Sequence, residues 1–468
     1  IFARVEIAGP GFINLFLTRD VWATVLAPVW TEDERFGRSE MGAGRRVLVE
    51  FVSANPTGPL SVGHGRNAVL GDAIARLLDA TGHQVQREYY FNDAGRQMRV
   101  LGESTRARYL ELLGLPFEFP EDGYQGDYIR DIGRAMVEEG GESFRDADLN
   151  VFKERAQQAI FADIDATLKR IGIGFDTYFN EHTLYEDGRV DGVVEELRSR
   201  GLVYEKEGAT WFRTTDFGQG QDRVIIKSSG EPTYRLPDIA YHCDKFQRGY
   251  DWMIDVFGSD HIATVPDVLA GLRALGHDPD RVTVVLYQFV TLLRDGKQVK
   301  MSTRKATFVT VDELVDEVGA DAFRFFLLMR KPDSLIEFDL DLAKKQSQEN
   351  PVYYVQYAHA RLCSIERTAG EQGVALSGPQ GADLGLLAEP EEFALLKSLA
   401  AYPQLVAGAA VDLAPHRVIF ALMELAAQFH GFYNRHKVLT DDRELTLARL
   451  CLCGGLKRVF RNGLHLVG

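Results

Sequence analysis

Arg46-Val-Leu-Val-Glu-Phe-Val-Ser-Ala-Asn-Pro-Thr-Gly-Pro-Leu-Ser-Val-Gly-His-Gly-Arg66 is the stretch of sequence from which the fold can be predicted. It opens with an apolar run rich in β-branched residues, which is typical of a buried parallel strand. Asn, Pro and Gly then turn the chain, and apolar residues at helical spacing predict a helix over about 64–80. Gly63 and Gly65 let the backbone approach a ligand, and free N–H groups at a helix start favour phosphate. An ordinary strand, turn and helix in which His64 caps the first turn would explain the same residues.

The second informative motif is Lys300-Met-Ser-Thr-Arg-Lys305, a short basic segment with two hydroxyl groups. It follows the Asp295-Gly296 turn, so a solvated basic hairpin is its ordinary interpretation. Together with the glycine-rich helix start, it could hold a nucleoside triphosphate from the opposite side. Neither motif alone would establish a nucleotide site.

The two motifs resemble the HIGH and KMSKS signatures of the class I aminoacyl-tRNA synthetases, and longer strings resemble the arginyl-tRNA synthetase family. These strings occur in the order typical of the family and extend over nearly the whole chain. They are Val49-Glu-Phe51, Asn55-Pro-Thr-Gly-Pro59, Gly63-His-Gly-Arg-Asn-Ala-Val-Leu-Gly-Asp72, Tyr90-Phe-Asn-Asp-Ala-Gly95, Tyr234-Arg-Leu-Pro-Asp-Ile-Ala-Tyr-His242, Leu292-Leu-Arg-Asp-Gly296, Asn350-Pro-Val-Tyr-Tyr-Val-Gln-Tyr-Ala-His-Ala-Arg361 and Lys457-Arg-Val-Phe-Arg-Asn-Gly-Leu464.

Two positions depart from the signatures. The first signature usually begins with His, and Ser61 stands in that place, which keeps a hydrogen-bond donor but carries no charge. In the second signature Thr303 replaces the usual second Lys, as is common in arginyl enzymes. Arg304 or Lys305 would supply the missing charge, since Gly58 occupies the place of the family's alternative Lys.

The resemblance implies a ligase that joins L-arginine to its tRNA through an arginyl-adenylate made from ATP, with Mg²⁺ accompanying the nucleotide. It assigns no protein ligand to a metal ion. The catalytic residues that it implies are His64, Ser61, Lys300, Ser302 and Arg304. The implied contacts to ATP are Gly63, Gly65, Asn67, Gly258, Asp260, His261, Phe289, Val290 and Met301. The implied contacts to arginine are Glu50, Ser53, Asn55, Tyr234 and Asp238.

Recognition of arginine needs a carboxylate that can meet the planar guanidinium group. The Tyr-x-x-x-Asp pattern of the family supplies Tyr234 and Asp238 for this purpose. Without the resemblance, Pro237 and Asp238 would simply mark the start of a helix. Asp260, which follows a predicted strand, could likewise cap a helix instead of contacting a ribose hydroxyl.

The predicted fold is α/β, with a Rossmann-like parallel-sheet catalytic domain followed by an all-α helical bundle that binds the anticodon. Residues 1–40 would be the remnant of an N-terminal tRNA-contacting domain and a linker, so we expect an N-terminally truncated chain. Residues 41–345 would form the catalytic domain, with insertions at about 115–235, and residues 346–468 the helical domain. Strands at 252–257 and 282–290 flank a helix at about 264–275 and predict a right-handed β-α-β unit.

Two surfaces of the helical domain are candidates for binding the anticodon loop. Tyr353, Tyr357 and Arg361 recur at helical spacing and form the first, whereas Tyr433 and Asn434, with His430, form the second on a later helix. Unstacked bases are usually read by aromatic stacking and by hydrogen bonds to their edges. Each tyrosine could equally be a core residue with a solvated hydroxyl group.

The composition is that of a globular protein with a net charge of −15, which is unfavourable for binding RNA. Residues 346–468 carry 11 Lys and Arg against 12 Asp and Glu, so this part repels RNA far less than the rest. Binding of tRNA must therefore rely on local basic strips. The four cysteines match neither a zinc pair nor a disulfide framework, and there is no signal peptide and no apolar run of about 18 residues. We expect a cytoplasmic monomer that does not bind membranes.

Three other functions fit parts of the sequence. The chain could be a class I synthetase for another amino acid, or a nucleotidyltransferase of the His-x-Gly-His type. The long helical C-terminal third argues against the latter, because small-molecule adenylyltransferases do not need it. Ser61 also leaves open a catalytically dead RNA-binding paralogue.

Overall fold

The computed structural model describes residues 1–93, 95–299, 309–375 and 378–468. The strands are β1 (Phe2–Ala8), β2 (Phe12–Leu17), β3 (Arg46–Glu50), β4 (Gln84–Phe91), β5 (Thr177–Asn180), β6 (Val203–Lys206), β7 (Ala209–Phe212), β8 (Arg223–Ile226), β9 (Trp252–Gly258), β10 (Val282–Tyr287), β11 (Val290–Arg294), β12 (Lys297–Gln298) and β13 (Ile336–Asp339). The helices of the catalytic part are α1 (Arg19–Ala23), α2 (Leu26–Glu32), α3 (Val62–Ala80), α4 (Gly95–Leu112), α5 (Asp127–Gly140), α6 (Leu149–Arg170), α7 (His182–Glu186), α8 (Arg189–Ser199), α9 (Arg235–Gln247), α10 (Val265–Ala274), α11 (Val311–Val318), α12 (Ala320–Leu328) and α13 (Leu340–Lys344). They are followed by α14 (Pro351–Glu371), α15 (Pro390–Val411), α16 (His416–Arg435) and α17 (Arg443–Val467).

The centre of the catalytic part is a five-stranded sheet in the order β10-β9-β3-β4-β5, and all of its neighbouring strands are parallel. The three strands β3, β9 and β10 are largely apolar runs and not alternating ones, as expected of parallel strands with helices on both faces. Strand β3 lies between β4 and β9, so the chain order reverses beside it. Ligands bind at such a reversal, outside the carboxyl ends of the strands.

Helix α3 connects β3 with β4 and is buried along most of its length. Gly65 and Gly71 permit this burial, because an added Cβ would lie 2.5 Å from the Phe323 ring and 2.2 Å from that of Phe51, respectively. The same helix contacts α12, α15 and α17, so it touches both the sheet and the helical bundle. The start of α3 is thereby fixed against the carboxyl end of β3.

The predicted strand at 282–290 is wrong in one respect, because it is two strands in two different sheets. Strand β10 ends at Tyr287, whereas β11 pairs in parallel with β13. The break is fixed by Arg66, whose guanidinium group donates to the carbonyls of Gln288 and Pro332 at 2.5 and 3.1 Å. A continuous apolar run gives no signal for such a break.

The region predicted as insertions, about 115–235, contributes more to the fold than insertions would. It supplies β5, the edge strand of the central sheet, together with the antiparallel sheet β6-β7-β8. Beyond residue 342 no strand occurs in the described part of the chain, as the sequence predicts, and α14 to α17 form the bundle. Helix α15 is long and apolar enough to cross a membrane by length and composition alone, but it packs against α3, α16 and α17.

Candidate active site

A cavity of about 540 Å³ lies where β3 and β9 end and α3 begins. Its wall includes the sequence-predicted residues Glu50, Ser53, Asn55, His64, Asn67, Tyr234, Asp238, Gly258, Asp260 and His261. Residues from four separate segments of the sequence therefore meet at the point of the sheet where a parallel fold is expected to bind a ligand.

One face of helix α9 forms the floor of the cavity. Asp238, Tyr241, His242 and Lys245 recur three, four and seven residues apart, so they share one helical face. That face is turned toward the strands and not toward water, because Tyr241, His242 and Lys245 are all buried. A polar helix face against a sheet requires partners for each of its groups.

Those partners include carboxylates on two central strands, Glu50 at the end of β3 and Asp255 in the middle of β9. Lys245 Nζ donates to Glu50 Oε2 at 2.5 Å and to Asp255 Oδ1 at 2.7 Å, and His242 Nε2 lies 2.8 Å from Asp255 Oδ2. Burial alone would lower the pKa of Lys245, but the carboxylates of Asp255 and Glu50 raise it well above its usual value. Lys245 is therefore a fixed cation beneath the cavity.

Asp238 and Glu181 form an acidic end of the cavity. Burial raises the pKa of Asp238 to about 7, and burial also raises the pKa of Glu181. The Tyr90 hydroxyl donates to Glu181 Oε2 at 2.8 Å. Among the described residues, no N–H or O–H group donates to the Asp238 side chain, and the bond from His242 Nδ1 goes to the Asp238 backbone carbonyl. This half-buried carboxylate therefore lines the cavity without a donor, and a bound cation would stabilise its ionised form.

His64 stands at the start of α3 and is held by Ser61. The Ser61 N–H donates to His64 Nδ1 at 3.3 Å, and Ser61 Oγ lies 3.3 Å from the same nitrogen. Burial lowers the pKa of His64, so the ring is neutral near pH 7. Because Nδ1 accepts from the backbone, the proton resides on Nε2, which is left to donate to a ligand.

The opposite wall of the cavity is formed by the end of β9 and the segment after it. Gly258, Asp260 and His261 lie there, and the His261 ring is 5.3 Å from that of Phe257. The Asp260 and His261 side chains are largely exposed, so they can meet a polar ligand at the cavity mouth. Tyr287, at the end of β10, completes this wall.

A second cavity, of about 730 Å³, lies on the helical bundle between α14 and the end of α16. We call it the bundle groove. The Arg361 guanidinium group stacks between two rings, 4.7 Å from the centre of Tyr357 and 4.3 Å from that of Tyr433. Within the described ranges neither Arg361 nor Lys437 is paired with a carboxylate. The groove is lined by Tyr357, Ala360, Arg361, Ser364, Ile365, Thr368, Tyr433, Asn434, Arg435, His436, Lys437, Val438 and Leu439.

Known proteins match both parts of the chain. The family described as "tRNA synthetases class I (R), catalytic domain" matches residues 27–111 and 134–345, and the DALR anticodon binding domain matches residues 355–468. The arginine–tRNA ligase of Desulfotalea psychrophila is 65% identical over 469 residues, which cover 100% of this chain and 85% of that protein. The chain belongs to the arginyl-tRNA synthetase family.

Two further proteins are similar over nearly the whole chain. The arginine–tRNA ligase of Syntrophotalea carbinolica is 52% identical over 472 residues, with 100% of this chain and 85% of that protein covered. A solved structure provisionally assigned as an arginyl-tRNA synthetase, from Campylobacter jejuni, superimposes with a TM-score of 0.88 at 33% identity. That match covers 97% of this chain and 98% of the other, so it includes the parallel sheet and the helical bundle.

Several residues that the arginyl-tRNA synthetase resemblance assigns to ATP lie outside the cavity wall. Gly65 packs against Phe323, Phe289 is 63% exposed on the surface, and Val290 is buried in β11. For Phe289 and Val290 the physical reason is the break after Tyr287, which carries the chain away from the central sheet. Gly65 lies on the face of α3 that packs against Phe323. Gly63 lies at the start of α3, where an added Cβ would meet only the Ser61 hydroxyl, at 3.7 Å. Lys300, Met301, Ser302 and Arg304 lie outside the described residues.

Sequence reasoning missed Glu181, Tyr90, Lys245, Asp255 and Tyr287. The i, i+3, i+4, i+7 spacing of polar residues in α9 could have indicated Lys245, but such spacing usually marks a solvated face. Glu181 follows β5, a strand that the sequence did not predict.

Proposed function

We propose that the cavity activates arginine with ATP and that the bundle groove holds the anticodon loop of the tRNA that receives the arginyl group. The observation that carries the proposal is the Asp238 carboxylate, which faces the cavity without a hydrogen-bond donor among the described residues. A buried carboxylate of this kind favours a planar, permanently charged guanidinium group, which presents paired donors.

Arginine would enter with its guanidinium group between Asp238 and Glu181. Tyr234, which is 73% exposed at the mouth, would cover the bound side chain. The α-amino group would lie toward Glu50, Ser53 and Asn55, at the end of β3. A rival amino acid without a guanidinium group would leave the acidic end unpaired, and this supports discrimination without a separate editing domain.

ATP would bind from the other side, between the start of α3 and the end of β9. The Nε2–H of His64 and the free N–H groups of the helix start would meet the phosphates. Asp260 and His261 would contact the ribose. Lys300, Ser302 and Arg304 would close on the phosphates from the second motif, and this part of the proposal rests on the sequence alone.

The chemistry requires no protein nucleophile. An oxygen of the arginine carboxylate would attack the α-phosphorus of ATP, forming arginyl-adenylate as pyrophosphate leaves. A hydroxyl of the terminal tRNA adenosine, the 2′-hydroxyl by the class I resemblance, would then attack the arginyl carbonyl carbon and release AMP. His64 and the second motif would stabilise charge on the phosphates, and the cavity would align the reactants.

Mg²⁺ is proposed as the partner of the nucleotide. Magnesium sites of this type use one or two carboxylates together with phosphate oxygens and water. Held mainly by the phosphate oxygens and water, the ion would neutralise charge on the phosphates.

The bundle groove would bind unstacked anticodon bases on Tyr357 and Tyr433, with Arg361, Asn434 and Lys437 available to base edges and phosphates. Tyr353 lies outside the groove but stacks on Tyr357 at 5.7 Å, so it would extend the same surface along α14. The division at residues 41–345 and 346–468, a monomeric state, a cytoplasmic location and the absence of membrane binding belong to the proposal as well.

The direct test is ATP–pyrophosphate exchange with arginine, measured with and without tRNA. Exchange should depend on arginine and should also require tRNA, because Thr303 leaves the second motif one positive charge short and the bound acceptor end would complete closure. Arginine-independent exchange would contradict the activation proposal. Full exchange without tRNA would contradict only the tRNA requirement.

A further inference from the structure

The chain leaves β3 through two residues with left-handed backbone, Val52 at φ 66° and Ser53 at φ 41°. Non-glycine residues rarely adopt this region, and a β-branched side chain such as that of Val52 is a genuine outlier there. Such strain persists only where neighbouring contacts hold it. Both residues line the catalytic cavity, so those contacts also set one of its walls.

The contact that holds Val52 comes from Asn67. Asn67 Oδ1 accepts from the Val52 N–H at 2.6 Å, and Asn67 Nδ2 donates to the Val256 carbonyl at 2.8 Å. The two partners fix the orientation of the amide, because a backbone N–H can only donate and a carbonyl can only accept. Asn67 is 4% exposed. One buried side chain therefore joins α3 to the ends of β3 and β9.

The turn after Val52 carries groups that face the substrate. Ser53 Oγ donates to Glu50 Oε1 at 3.0 Å and accepts from the Tyr90 N–H at 3.1 Å. Rotation about φ swings every atom that follows in the chain. A Val52 that relaxed to extended backbone would therefore carry Ser53 and Asn55 off the cavity wall.

We infer that Asn67 is a positioning residue for arginine, and that it acts by holding Val52 in the left-handed conformation. The resemblance assigns Asn67 to ATP, but its Oδ1 accepts from the Val52 N–H and one N–H of its Nδ2 donates to the Val256 carbonyl. The inference rests on the proposed placement of arginine beside Ser53 and Asn55. The inference gives Asn67 a different role from that of His64, which lies one helical turn earlier and whose Nε2 is free to donate to a ligand.

A double-mutant cycle of Asn67→Ala and Val52→Gly tests the inference. Glycine adopts left-handed backbone readily, so it removes the need for the contact from Asn67. Asn67→Ala should lower kcat/KM for arginine by roughly 10²-fold, the cost of about 1 Å of misplacement, and leave the KM for ATP unchanged. In the Asn67→Ala background, Val52→Gly should raise kcat/KM for arginine by roughly tenfold. Such a coupling between two substitutions is expected only of residues in contact.

Three variants complete the experiment. Asn67→Asp keeps the acceptor for Val52 and loses only the donor to Val256, so its kcat/KM for arginine should fall much less than that of Asn67→Ala. Asn67→Leu, which has a similar volume but no acceptor, replaces Asn67→Ala in the cycle if the alanine variant does not fold. Glu207→Gly is the matched control, since Glu207 also has left-handed backbone, at φ 54°, but lies in the turn between β6 and β7. In the Asn67→Ala background, Glu207→Gly should not raise kcat/KM for arginine.

A raised KM for ATP that Val52→Gly does not correct would make Asn67 a ligand of ATP and overturn the inference. Equal recovery by Glu207→Gly would also overturn it, because the effect would then be one of general stability. Wild-type protein that shows no arginine-dependent exchange would instead overturn the proposed function.

Discussion

The catalytic cavity and the bundle groove handle charge in opposite ways. The cavity is enclosed between strands and helices, and its selective end consists of the desolvated carboxylates Asp238 and Glu181. The bundle groove is open, and its centre is the Arg361 guanidinium group between two half-exposed tyrosine rings. Under the proposed function, the cavity would take a small cation and the bundle groove would take a polyanion with flat bases.

This separation explains how a chain with a net charge of −15 can belong to a family that handles RNA. Electrostatic steering depends on the local field, which falls off within about 10 Å at ordinary ionic strength. Under the proposed function, the carboxylates of the cavity would favour the guanidinium group of arginine, and Arg361 and Lys437 of the bundle groove would favour the tRNA. Substitutions in the cavity should therefore change the use of arginine and not the affinity for tRNA, and substitutions in the bundle groove should do the reverse.

The largest expected effect is that of Asp238→Asn on the use of arginine. Loss of one partner of a buried charge pair costs about 3–5 kcal/mol, so kcat/KM for arginine should fall by more than about 10²-fold. The KM for ATP and the KM for tRNA should not change. Steady-state exchange and aminoacylation kinetics would measure all three.

Asp216→Asn is the matched control for this variant, because Asp216 is exposed and lies outside both sites. It should behave as wild type. An unchanged KM for arginine in Asp238→Asn would remove Asp238 from the arginine site, and an increased KM for tRNA would contradict the separation of the two sites.

His64→Ala should lower the rate of arginine activation by roughly 10²-fold, the scale for loss of one transition-state donor. The affinity for arginine should change less, because His64 faces the phosphates. Ser61→Ala removes only the hydroxyl group and keeps the backbone N–H that holds Nδ1, so its effect should be much smaller. Pre-steady-state formation of the adenylate would separate rate from affinity. A pure loss of affinity in His64→Ala would give His64 a substrate-holding role.

Smaller effects are expected in the bundle groove. Tyr433→Ala should weaken tRNA binding by about 1–3 kcal/mol, the value of one base stacked on an aromatic ring, with the KM for arginine unchanged. Tyr357→Ala should act similarly, and the double variant should lose less than the sum because both rings pack on Arg361. Filter binding over a salt series would measure this. Unchanged affinity in a folded Tyr433→Ala protein would place the anticodon elsewhere.

Much of the fold could be predicted from local pattern. The apolar runs at 46–52 and 252–257 and the helices after them are strong signals, because buried parallel strands and long amphipathic helices are locally encoded. The break after Tyr287 depends on the Arg66 guanidinium group, which arrives from 222 residues away in sequence. Local pattern cannot register such a contact.

The same distinction applies to the site residues. Asp238 and His64 were found because they lie in strings that resemble the family. Lys245 was not found in this way. Its polar helix face is buried only because strands cover it, and the local sequence does not show that contact. The two surfaces proposed from the sequence for the anticodon are one, because Arg361 of the first contacts Tyr433 of the second. Only the packing of α14 on α16 reveals this.

The most direct test of the account is the number of protons released when arginine binds. Burial raises the pKa of Asp238 to about 7, so a large fraction of these carboxyl groups is protonated near pH 7. A bound guanidinium group favours the ionised form and must therefore displace protons. Isothermal titration calorimetry in buffers of different ionisation enthalpy should show net release of protons on arginine binding at pH 6, and clearly less release at pH 8. Binding should weaken by up to about tenfold per pH unit as the pH falls below 7. Binding with no proton release at pH 6, or with the same release at pH 6 and pH 8, would contradict recognition of arginine by Asp238.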